Sequence, residues 1–271
     1  MTALIVVSCG PAASVQDLGR RGHRRLGVST AGAAVPNELA LANALVGNPP
    51  GTAAVELPLA SARFTVEGGP LLLAAAGPGV TLRVADRLCP DRTSVLASTG
   101  DTVTVGAPRG GVYAYLAVAG GILTEPVLGS RAVHMRTGVG GSVLGRGDRL
   151  PCAPARTGPL HCAEPRPTET GPIRVLPGPQ ADHFDAATWD LFLSSSYSVD
   201  ARSDRMGIRL NGPALAAVQG HDILSDGIVP GCIQVPGNGQ PIVLGQDCQT
   251  TGGYPKIATV ISADLPRLFQ T

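Results

Sequence analysis

The most chemically distinctive stretch of the sequence runs from residue 227 to residue 263. It contains one carboxylate, Asp247, and one ammonium, Lys256, among apolar, glycine, proline and uncharged polar residues. Lys256 is the only lysine of the chain, since every other member of the 21 lysines and arginines is an arginine. An ammonium is a compact charge whose pKa shifts readily on burial, so this pair could transfer a proton and stabilise negative charge. A lysine held in a salt bridge at a strand end is the structural alternative.

The segment between these two charges has the composition of a loop that binds an oxygen-bearing ligand. Thr250 and Thr251 supply hydroxyl groups. Gly252 and Gly253 can adopt positive φ, which would let backbone N–H groups converge on an anion or a polarised carbonyl. An ordinary glycine-containing hairpin loop is the alternative interpretation.

Two further polar clusters lie outside this stretch. Gln16, Asp17 and Arg20 present an amide, a carboxylate and a guanidinium close to glycines. Asp204 and Arg205 form the second cluster, where the guanidinium is suited to holding a carboxylate through two hydrogen bonds. For both clusters, an acid–arginine pair that closes a turn is the structural alternative.

The elements that must position these residues are mostly short strands. Apolar or β-branched runs typical of strands occupy residues 71–73, 80–84, 102–105, 112–118, 241–245 and 257–261. With 36 glycines, 24 prolines and only 15% charged residues, the chain has many turns and little charge for solvated helix faces. Helices are predicted near 36–47, after Pro36, and after Asp185 as N-cap. The sequence therefore predicts an all-β fold with a few short helices.

The domain organisation is predicted from one change in composition. Residues 151–172 are rich in proline, threonine, arginine and alanine and show almost no periodicity, which is typical of a linker. We therefore expect two β domains, an N-terminal one at 1–150 and a C-terminal one at 173–271. The C-terminal domain carries the loop with the two charges.

Composition also argues against several classes of function. A net charge of +1 and 3% aromatic residues offer no footprint for nucleic acid. No apolar run approaches the roughly 20 residues that span a bilayer. The apolar run at 3–7 lacks a preceding basic region, so it is predicted to be a strand and not a signal peptide. We expect a cytoplasmic protein that binds neither nucleic acid nor membrane.

The sequence lacks several motifs that mark metal, ATP, biotin or nucleophile sites. The six cysteines and five histidines lack metal-ligand spacing, so no metal site is predicted. The only lysine is followed by Ile257, which excludes a P-loop for ATP. The same lysine lacks the context of a biotinylated residue, so the chain is not expected to carry biotin covalently. No nucleophile elbow of the G-x-S-x-G form is present.

Several motifs together resemble those of a known family. Residues 247–268 read D-C-Q-T-T-G-G-Y-P-K-I-A-T-V-I-S-A-D-L-P-R-L, similar to the C-terminal signature of the allophanate hydrolase subunit 2 family, also called the biotin-dependent carboxyltransferase family. The patterns V-Q-D-L-G-R at 15–20, A-N-A-L-V-G-N at 42–48 and S-D-R-M-G at 203–207 are similar too. One departure is Val35, because many relatives carry an aspartate just before the first helix.

The resemblance implies a fold and three alternative functions. The implied architecture is a cyclophilin-like β-barrel. The implied function is that of a subunit in an ATP-dependent 5-oxoprolinase, which hydrolyses the lactam 5-oxoproline to glutamate with a companion subunit of the allophanate hydrolase subunit 1 family. In the alternatives, the chain moves a carboxyl group from carboxybiotin to urea or a related amide, or is a non-catalytic binding protein resembling the antagonist of a kinase inhibitor. ATP would be bound through the complex and not through a P-loop in this chain.

On this basis the site residues are predicted in two groups. The catalytic group comprises Asp247, Lys256, Thr250 and Thr251. The substrate-binding group comprises Gly252, Gly253, Tyr254, Arg205, Asp204, Gln16, Asp17 and Arg20. In this hypothesis Lys256 neutralises developing charge, Asp247 accepts a proton or an amide N–H, and Arg205 holds the substrate carboxylate.

Overall fold

The computed structural model describes residues 2–154, 161–164 and 170–271 and divides the chain into two compact units. The first unit contains residues 1–20, 31–169 and 270–271, and the second contains residues 21–30 and 170–269. Short strands predominate in both, which confirms the predicted all-β class with a few short helices. No helix among the described residues is both long and apolar enough to cross a membrane.

The first unit is built from two antiparallel sheets. Its strands are β1 (Ala3–Ser8), β2 (Ser14–Gln16), β3 (Ala54–Pro58), β4 (Ala62–Glu67), β5 (Leu71–Ala76), β6 (Leu82–Val84), β7 (Arg87–Leu88), β8 (Val95–Ala97), β9 (Thr102–Val105), β10 (Tyr113–Val118) and β11 (Arg149–Pro151). The six-stranded sheet has the order β11-β1-β4-β9-β6-β7. The five-stranded sheet has the order β2-β3-β10-β5-β8.

One apolar core joins these two sheets. In β4, alternate residues are buried, so Phe64 and Val66 face the core while Arg63 lies exposed, as a period of two requires. Leu116 of β10 belongs to the same buried cluster as Phe64, although these strands lie in different sheets. The central strands β5 and β10 are buried at every residue, which explains why their sequences read as continuous apolar runs.

Side chains from the sheet hold the backbone just before the helix of the first unit. Helix α1 (Pro36–Leu45) begins with Pro36, as predicted, and Val35 at the N-cap offers no side-chain acceptor. Instead, the buried Glu56 carboxylate accepts a hydrogen bond from the Ala34 N–H at 2.8 Å, and the Tyr115 hydroxyl accepts one from the Val35 N–H at 2.9 Å. The Tyr115 hydroxyl also donates to Glu56 at 2.7 Å. The approach to the helix is therefore held by Glu56 and Tyr115, although Val35 itself provides no side-chain cap.

The second unit contains one six-stranded sheet, a two-stranded ribbon and two helices. Its strands are β12 (Val175–Pro177), β13 (Ser198–Val199), β14 (Gly207–Asn211), β15 (Asp226–Gly227), β16 (Cys232–Gln234), β17 (Ile242–Leu244), β18 (Thr251–Gly252) and β19 (Lys256–Val260). Its helices are α2 (Ala186–Ser194) and α3 (Leu265–Leu268), and 3₁₀ turns occur at Arg24–Leu26 and Ala181–His183. The sheet has the order β12-β19-β16-β17-β14-β13, and the ribbon pairs β15 with β18.

Helix α2 begins where the sequence predicts. The Asp185 carboxylate accepts a hydrogen bond from the Thr188 N–H at 2.8 Å, which is the expected N-cap geometry. The same N–H bond holds the pKa of the Asp185 carboxyl below its ordinary value. Within the helix, Trp189 packs edge-on against Phe192, with ring centroids 6.1 Å apart.

The interpretation of residues 241–261 as a simple hairpin is wrong. Strands β17 and β19 are not neighbours, because β16 lies between them in the sheet. The connection from β17 to β19 instead leaves the sheet and contributes β18 to the ribbon with β15. The apolar runs predicted strands β17 and β19, but a local pattern could not show that β16, which comes earlier in the chain, lies between them in the sheet.

The predicted continuous domain at 1–150 differs from the structure in one segment. Residues 21–30 belong to the second unit. The Arg24 guanidinium donates to the carbonyls of Ile228 and Gln249, and the Ser29 hydroxyl donates to the Cys248 carbonyl at 2.6 Å. The chain enters the second unit again after residue 169 and returns to the first unit at residues 270–271, so the predicted C-terminal domain at 173–271 differs at its last two residues. Part of the predicted linker, residues 155–160 and 165–169, lies outside the described residues.

Candidate functional site

The segment that carries the two threonines and two glycines forms one edge of the β15–β18 ribbon. Asp226 pairs with Gly252 and Gly227 with Thr251, and the Ile228 N–H donates to the Thr250 carbonyl at 3.1 Å. Neither Gly252 nor Gly253 has positive φ. The idea that positive φ at these glycines gathers N–H groups around an anion is therefore wrong, because this backbone is used for strand pairing.

Gly252 packs closely against two neighbouring side chains. A Cβ at Gly252 would lie 2.6 Å from Nε2 of Gln234 and 3.3 Å from the Ile228 side chain. Gln234 is buried in β16, and its Nε2 donates to the Tyr254 carbonyl at 3.3 Å. The missing side chain thus lets the ribbon approach a buried amide that supports the end of the ribbon.

Lys256 is completely buried at the start of β19. Its Nζ lies 2.6 Å from Oδ2 of Asp226 and donates to the Gly227 carbonyl at 3.3 Å. The Asp226 side chain is 51% exposed, so the ion pair runs from the interior of the second unit to its surface. The structure thus shows the structural alternative, a salt-bridged lysine at a strand end, and Lys256 fixes the ribbon strand that contains its partner.

Gln180 completes this arrangement. Its Oε1 accepts a hydrogen bond from the Lys256 N–H at 3.3 Å, and its Nε2 lies 3.4 Å from Oδ2 of Asp226. The hydrogen bond from the Lys256 ammonium is the main cause that holds the pKa of the Asp226 carboxyl below its ordinary value, followed by the backbone N–H of Gly227. Asp226 is therefore an ionised partner of the lysine and a weak proton acceptor.

Asp247 and Arg205 form a buried bidentate ion pair. Arg205 donates from Nη2 to Oδ1 at 2.9 Å and from Nε to Oδ2 at 3.1 Å, and both residues are at least 95% buried. The Asp247 N–H also donates to the Arg205 carbonyl at 3.0 Å. The predicted roles of Asp247 as proton acceptor and Arg205 as substrate holder thus fall on two groups that bind each other. Their assignment as site residues stays a prediction, as does that of Lys256.

An open groove of about 690 Å³ in the second unit lies beside the ribbon. Thr250 and Thr251 line it, together with Ile228 and the two consecutive arginines Arg24 and Arg25. Its volume falls within the range of about 300–1,000 Å³ that is usual for small-molecule sites. The groove therefore unites two predicted catalytic residues with two cations that the sequence analysis did not single out.

The two arginines differ in how they are held. Arg24 lies in the 3₁₀ turn, and one of its nitrogens donates to the carbonyls of Ile228 and Gln249. Arg25 is exposed. Among the described residues, neither guanidinium has a carboxylate partner. Both charges therefore remain available to attract an anion electrostatically.

The remaining predicted residues of the second unit lie at its surface. Tyr254 is 41% exposed, and its carbonyl receives the hydrogen bond from Gln234. Asp204 is exposed, and its carboxylate accepts hydrogen bonds from the N–H groups of Met206 at 2.8 Å and Gly207 at 3.3 Å. Asp204 therefore closes the turn that leads into β14.

Gln16, Asp17 and Arg20 belong to the first unit, where each binds the segment 127–133. The Gln16 amide donates to the Val133 carbonyl at 2.9 Å, and Arg20 donates to the carbonyls of Ala132 and Val127. Hydrogen bonds reach the Asp17 carboxylate from the Ser130 hydroxyl and from the N–H of Arg131, both at 2.7 Å. These contacts are structural for the segment 127–133, and a direct role in substrate binding stays a prediction.

Three candidate residues, Asp226, Arg24 and Arg25, were not predicted from the sequence. Asp226 lies one residue before the stretch that drew attention, and only the fold shows that it reaches Lys256 thirty positions later. Arg24 and Arg25 are two among many arginines, and the only signal that marks them is that two adjacent cations precede Gly27. Among the described residues, no cluster of three or more metal-ligating side chains is present.

Comparison with known proteins gives consistent matches along the chain. A family model described as "Carboxyltransferase domain, subdomain A and B" matches residues 26–271. A 5-oxoprolinase subunit of Escherichia coli is 39% identical over 273 residues, covering 98% of this chain and 87% of the relative. A 5-oxoprolinase subunit of Haemophilus influenzae is 33% identical over 261 residues, covering 95% of this chain and 84% of the relative.

Solved structures show the same similarity. A crystal structure of TTHA0988 superimposes with a TM-score of 0.90 at 34% identity, covering the whole of this chain and 54% of that one. The chain thus spans about half the length of TTHA0988. The crystal structure of Kluyveromyces lactis urea carboxylase gives a TM-score of 0.89 at 26% identity, covering 99% of this chain and 26% of that one.

Proposed function

The chain belongs to the family of carboxyltransferase domains, subdomains A and B, and on that premise we propose that it is a subunit of an ATP-dependent 5-oxoprolinase. Sequence identity supports the 5-oxoprolinase reaction over others in the family, because 5-oxoprolinase subunits of two bacteria are 39% and 33% identical to nearly the whole chain. The proposed reaction converts 5-oxoproline, ATP and two water molecules to glutamate, ADP and phosphate.

The observation that carries the proposal in the structure is the groove beside the β15–β18 ribbon. Thr250 and Thr251 line it together with the cations Arg24 and Arg25. A small lactam with a carboxylate offers a carbonyl oxygen to the hydroxyls and a negative charge to the cations. The proposal therefore puts the substrate carboxylate at these arginines and not at Arg205, which already binds Asp247.

The buried polar residues then act by positioning. Lys256 holds Asp226 of β15, and the pairing of β15 with β18 sets the position of Thr251 at the groove. Arg205 holds Asp247 three residues before Thr250. The two ion pairs therefore hold the segment 247–256 at both ends. This keeps Thr250 and Thr251 in a fixed position at the groove.

ATP and the companion protein belong to the proposal for the complex. ATP would supply activation of the lactam oxygen by phosphorylation, because an unstrained amide resists attack by water. Since the sequence has no P-loop, we assign ATP binding to the complex with a companion of the allophanate hydrolase subunit 1 type. The dependence on ATP also sets the proposed location in the cytoplasm.

Reconstitution tests this function directly. The chain is co-expressed with its candidate companion subunits, and the purified mixture is assayed for glutamate formed from 5-oxoproline with and without ATP. We expect glutamate only when ATP, the companions and this chain are all present. Glutamate formation that is unchanged when this chain is omitted would contradict the proposal.

Carboxyl transfer is the second candidate, because the family description and the urea carboxylase structure both favour it. The same preparation can be mixed with a biotin carboxylase and its biotinylated carrier. Transfer of labelled bicarbonate into urea or a related amide, without any lactam hydrolysis, would select this alternative. Stable capture of a companion with no turnover in either assay would instead select a binding protein.

A further inference from the structure

We propose that the groove of the second unit is an oxyanion site and that Arg25 is the residue that contacts the anion. The ligand chemistry is a small carboxylate or a phosphate group, and the lactam substrate would present the carboxylate. This inference rests on the proposed function and adds to it the residue that selects substrates by charge. It follows from the acidic and basic side chains in the segments that surround the groove.

The acids nearest in sequence to the groove residues are already neutralised. Asp226, next to Gly227 of the groove wall, is paired with Lys256 at 2.6 Å. Asp247, three residues before Thr250, is paired with Arg205 at 2.9 Å. These pairs leave the Arg24 and Arg25 charges without a compensating carboxylate among the described residues, so the groove favours a negatively charged occupant.

Arg24 and Arg25 have complementary roles in this site. Arg24 is anchored by donating to two backbone carbonyls, and its Nη1 is enclosed without a hydrogen-bond partner in the described part of the chain. It therefore acts as a fixed positive charge that cannot swing away. Arg25 is exposed and has no partner among the described side chains, so its planar fork of donors is free to bind a carboxylate or phosphate.

The backbone holds Arg25 at the groove. The turn that carries both arginines ends at Gly27, whose φ of 78° lies in the left-handed region and whose N–H donates to the Arg24 carbonyl. A residue with a side chain adopts this conformation only at a cost, so glycine suits the position. The Ser29 hydroxyl then binds the Cys248 carbonyl at 2.6 Å, which fastens the segment beyond the turn.

A binding experiment on the isolated full-length chain tests the site without the companions. Four probes are titrated at low ionic strength and followed by calorimetry: 5-oxoproline, cyclopentanecarboxylate, 2-pyrrolidinone and inorganic phosphate. We expect 5-oxoproline and cyclopentanecarboxylate to bind and 2-pyrrolidinone, which has the lactam but no charge, not to bind. Binding of phosphate alone would assign the oxyanion site to a phosphate group, whereas no binding by any anion would overturn the proposal.

Variants then locate the binding to Arg25. Arg25→Gln should weaken anion binding by about 10- to 100-fold, as expected for losing a hydrogen bond between charged groups. Arg25→Lys should weaken it less, because it keeps the charge but loses the fork. Arg209→Gln is the matched control, since Arg209 is exposed in the same unit and does not line the groove. Equal binding by Arg25→Gln and wild type would refute the role of Arg25.

The reconstituted complex separates this inference from the proposed function. If Arg25 holds the substrate carboxylate, Arg25→Gln should raise KM for 5-oxoproline by about 10-fold or more while kcat changes little. An active complex in which Arg25→Gln leaves KM unchanged would overturn the inference and leave the proposed function intact. Anion binding by the isolated chain, with no turnover in the complex, would support the site and contradict the function.

Discussion

The buried pair of Arg205 and Asp247 gives a prediction that separates a structural from a catalytic role. Asp247→Asn keeps the shape of the side chain and removes its charge. The two hydrogen bonds at 2.9 and 3.1 Å join groups that are 5% and 1% exposed, so the substitution removes a buried negative charge that binds the Arg205 guanidinium. If Asp247 is structural, the loss should appear as a lower stability of the second unit.

The magnitude follows from the burial of both partners. Removing one partner of a buried ion pair costs about 3–5 kcal/mol, because the remaining charge has lost its compensation. For a protein of this size each kcal/mol lowers Tm by about 2–4 °C, which gives a shift of roughly 6–20 °C. Replacing both residues, as in Arg205→Met with Asp247→Leu, should recover much of that loss, since both charges of this pair are then removed.

Denaturant unfolding and thermal scans of wild type, the single variant and the double variant measure these effects. Arg202→Gln serves as the control, since the Arg202 side chain that pairs with Asp200 in the same unit is 78% exposed and its loss should change stability little. If Asp247→Asn unfolds at the wild-type temperature while turnover of the reconstituted complex disappears, the structural reasoning is refuted. Asp247 would then act chemically, in the role of proton acceptor that the sequence predicts.

Three further predictions concern packing, pH and thiol reactivity. Gly245→Ala should destabilise the chain by about 1–3 kcal/mol in denaturant unfolding, because a Cβ there would overlap the Arg205 carbonyl oxygen; an unchanged midpoint would contradict the packing. The pKa of the Asp226 carboxyl is lowered in the folded protein, so its ion pair with Lys256 stabilises the fold at pH values above 3.8, the ordinary pKa, and this stabilisation is lost as the pH falls further. Asp226→Asn should therefore make the free energy of unfolding less dependent on pH in the acid range. Burial raises the pKa of the Cys248 thiol to about 11, so at pH 8 iodoacetamide followed by mass spectrometry should label the exposed Cys162 well before Cys248.

The elements of the fold were predictable because their signals are local. Pro36 at the start of α1, the Asp185 cap of α2 and the β-branched runs each depend on neighbours within a few positions. The all-β class followed from those runs together with the many glycines and prolines. What could not be predicted is the order of strands, since the insertion of β16 between β17 and β19 depends on pairings that no short window contains.

The contacts around the predicted site residues could not be predicted from the sequence. Lys256 was noticed because it is unique in the chain, but its partner Asp226 was not, because nothing in a sequence marks which carboxylate a buried ammonium will reach. Arg25 was not noticed for the opposite reason, since one arginine among many carries no signal until the fold shows it at a groove. Thr250 and Thr251 both line the groove, but their catalytic role stays a prediction.

The assignment of residues 21–30 to the second unit has a consequence for how the protein is made and divided. Arg24 leaves the ribosome some two hundred residues before Ile228, the carbonyl to which it donates, so this turn must wait for most of the polypeptide before it can dock. A fragment that starts at residue 170 would lack both arginines of the groove, however well its strands assembled. Any gene fusion or split version of this chain that is meant to keep the groove must therefore carry the early segment along with the late one.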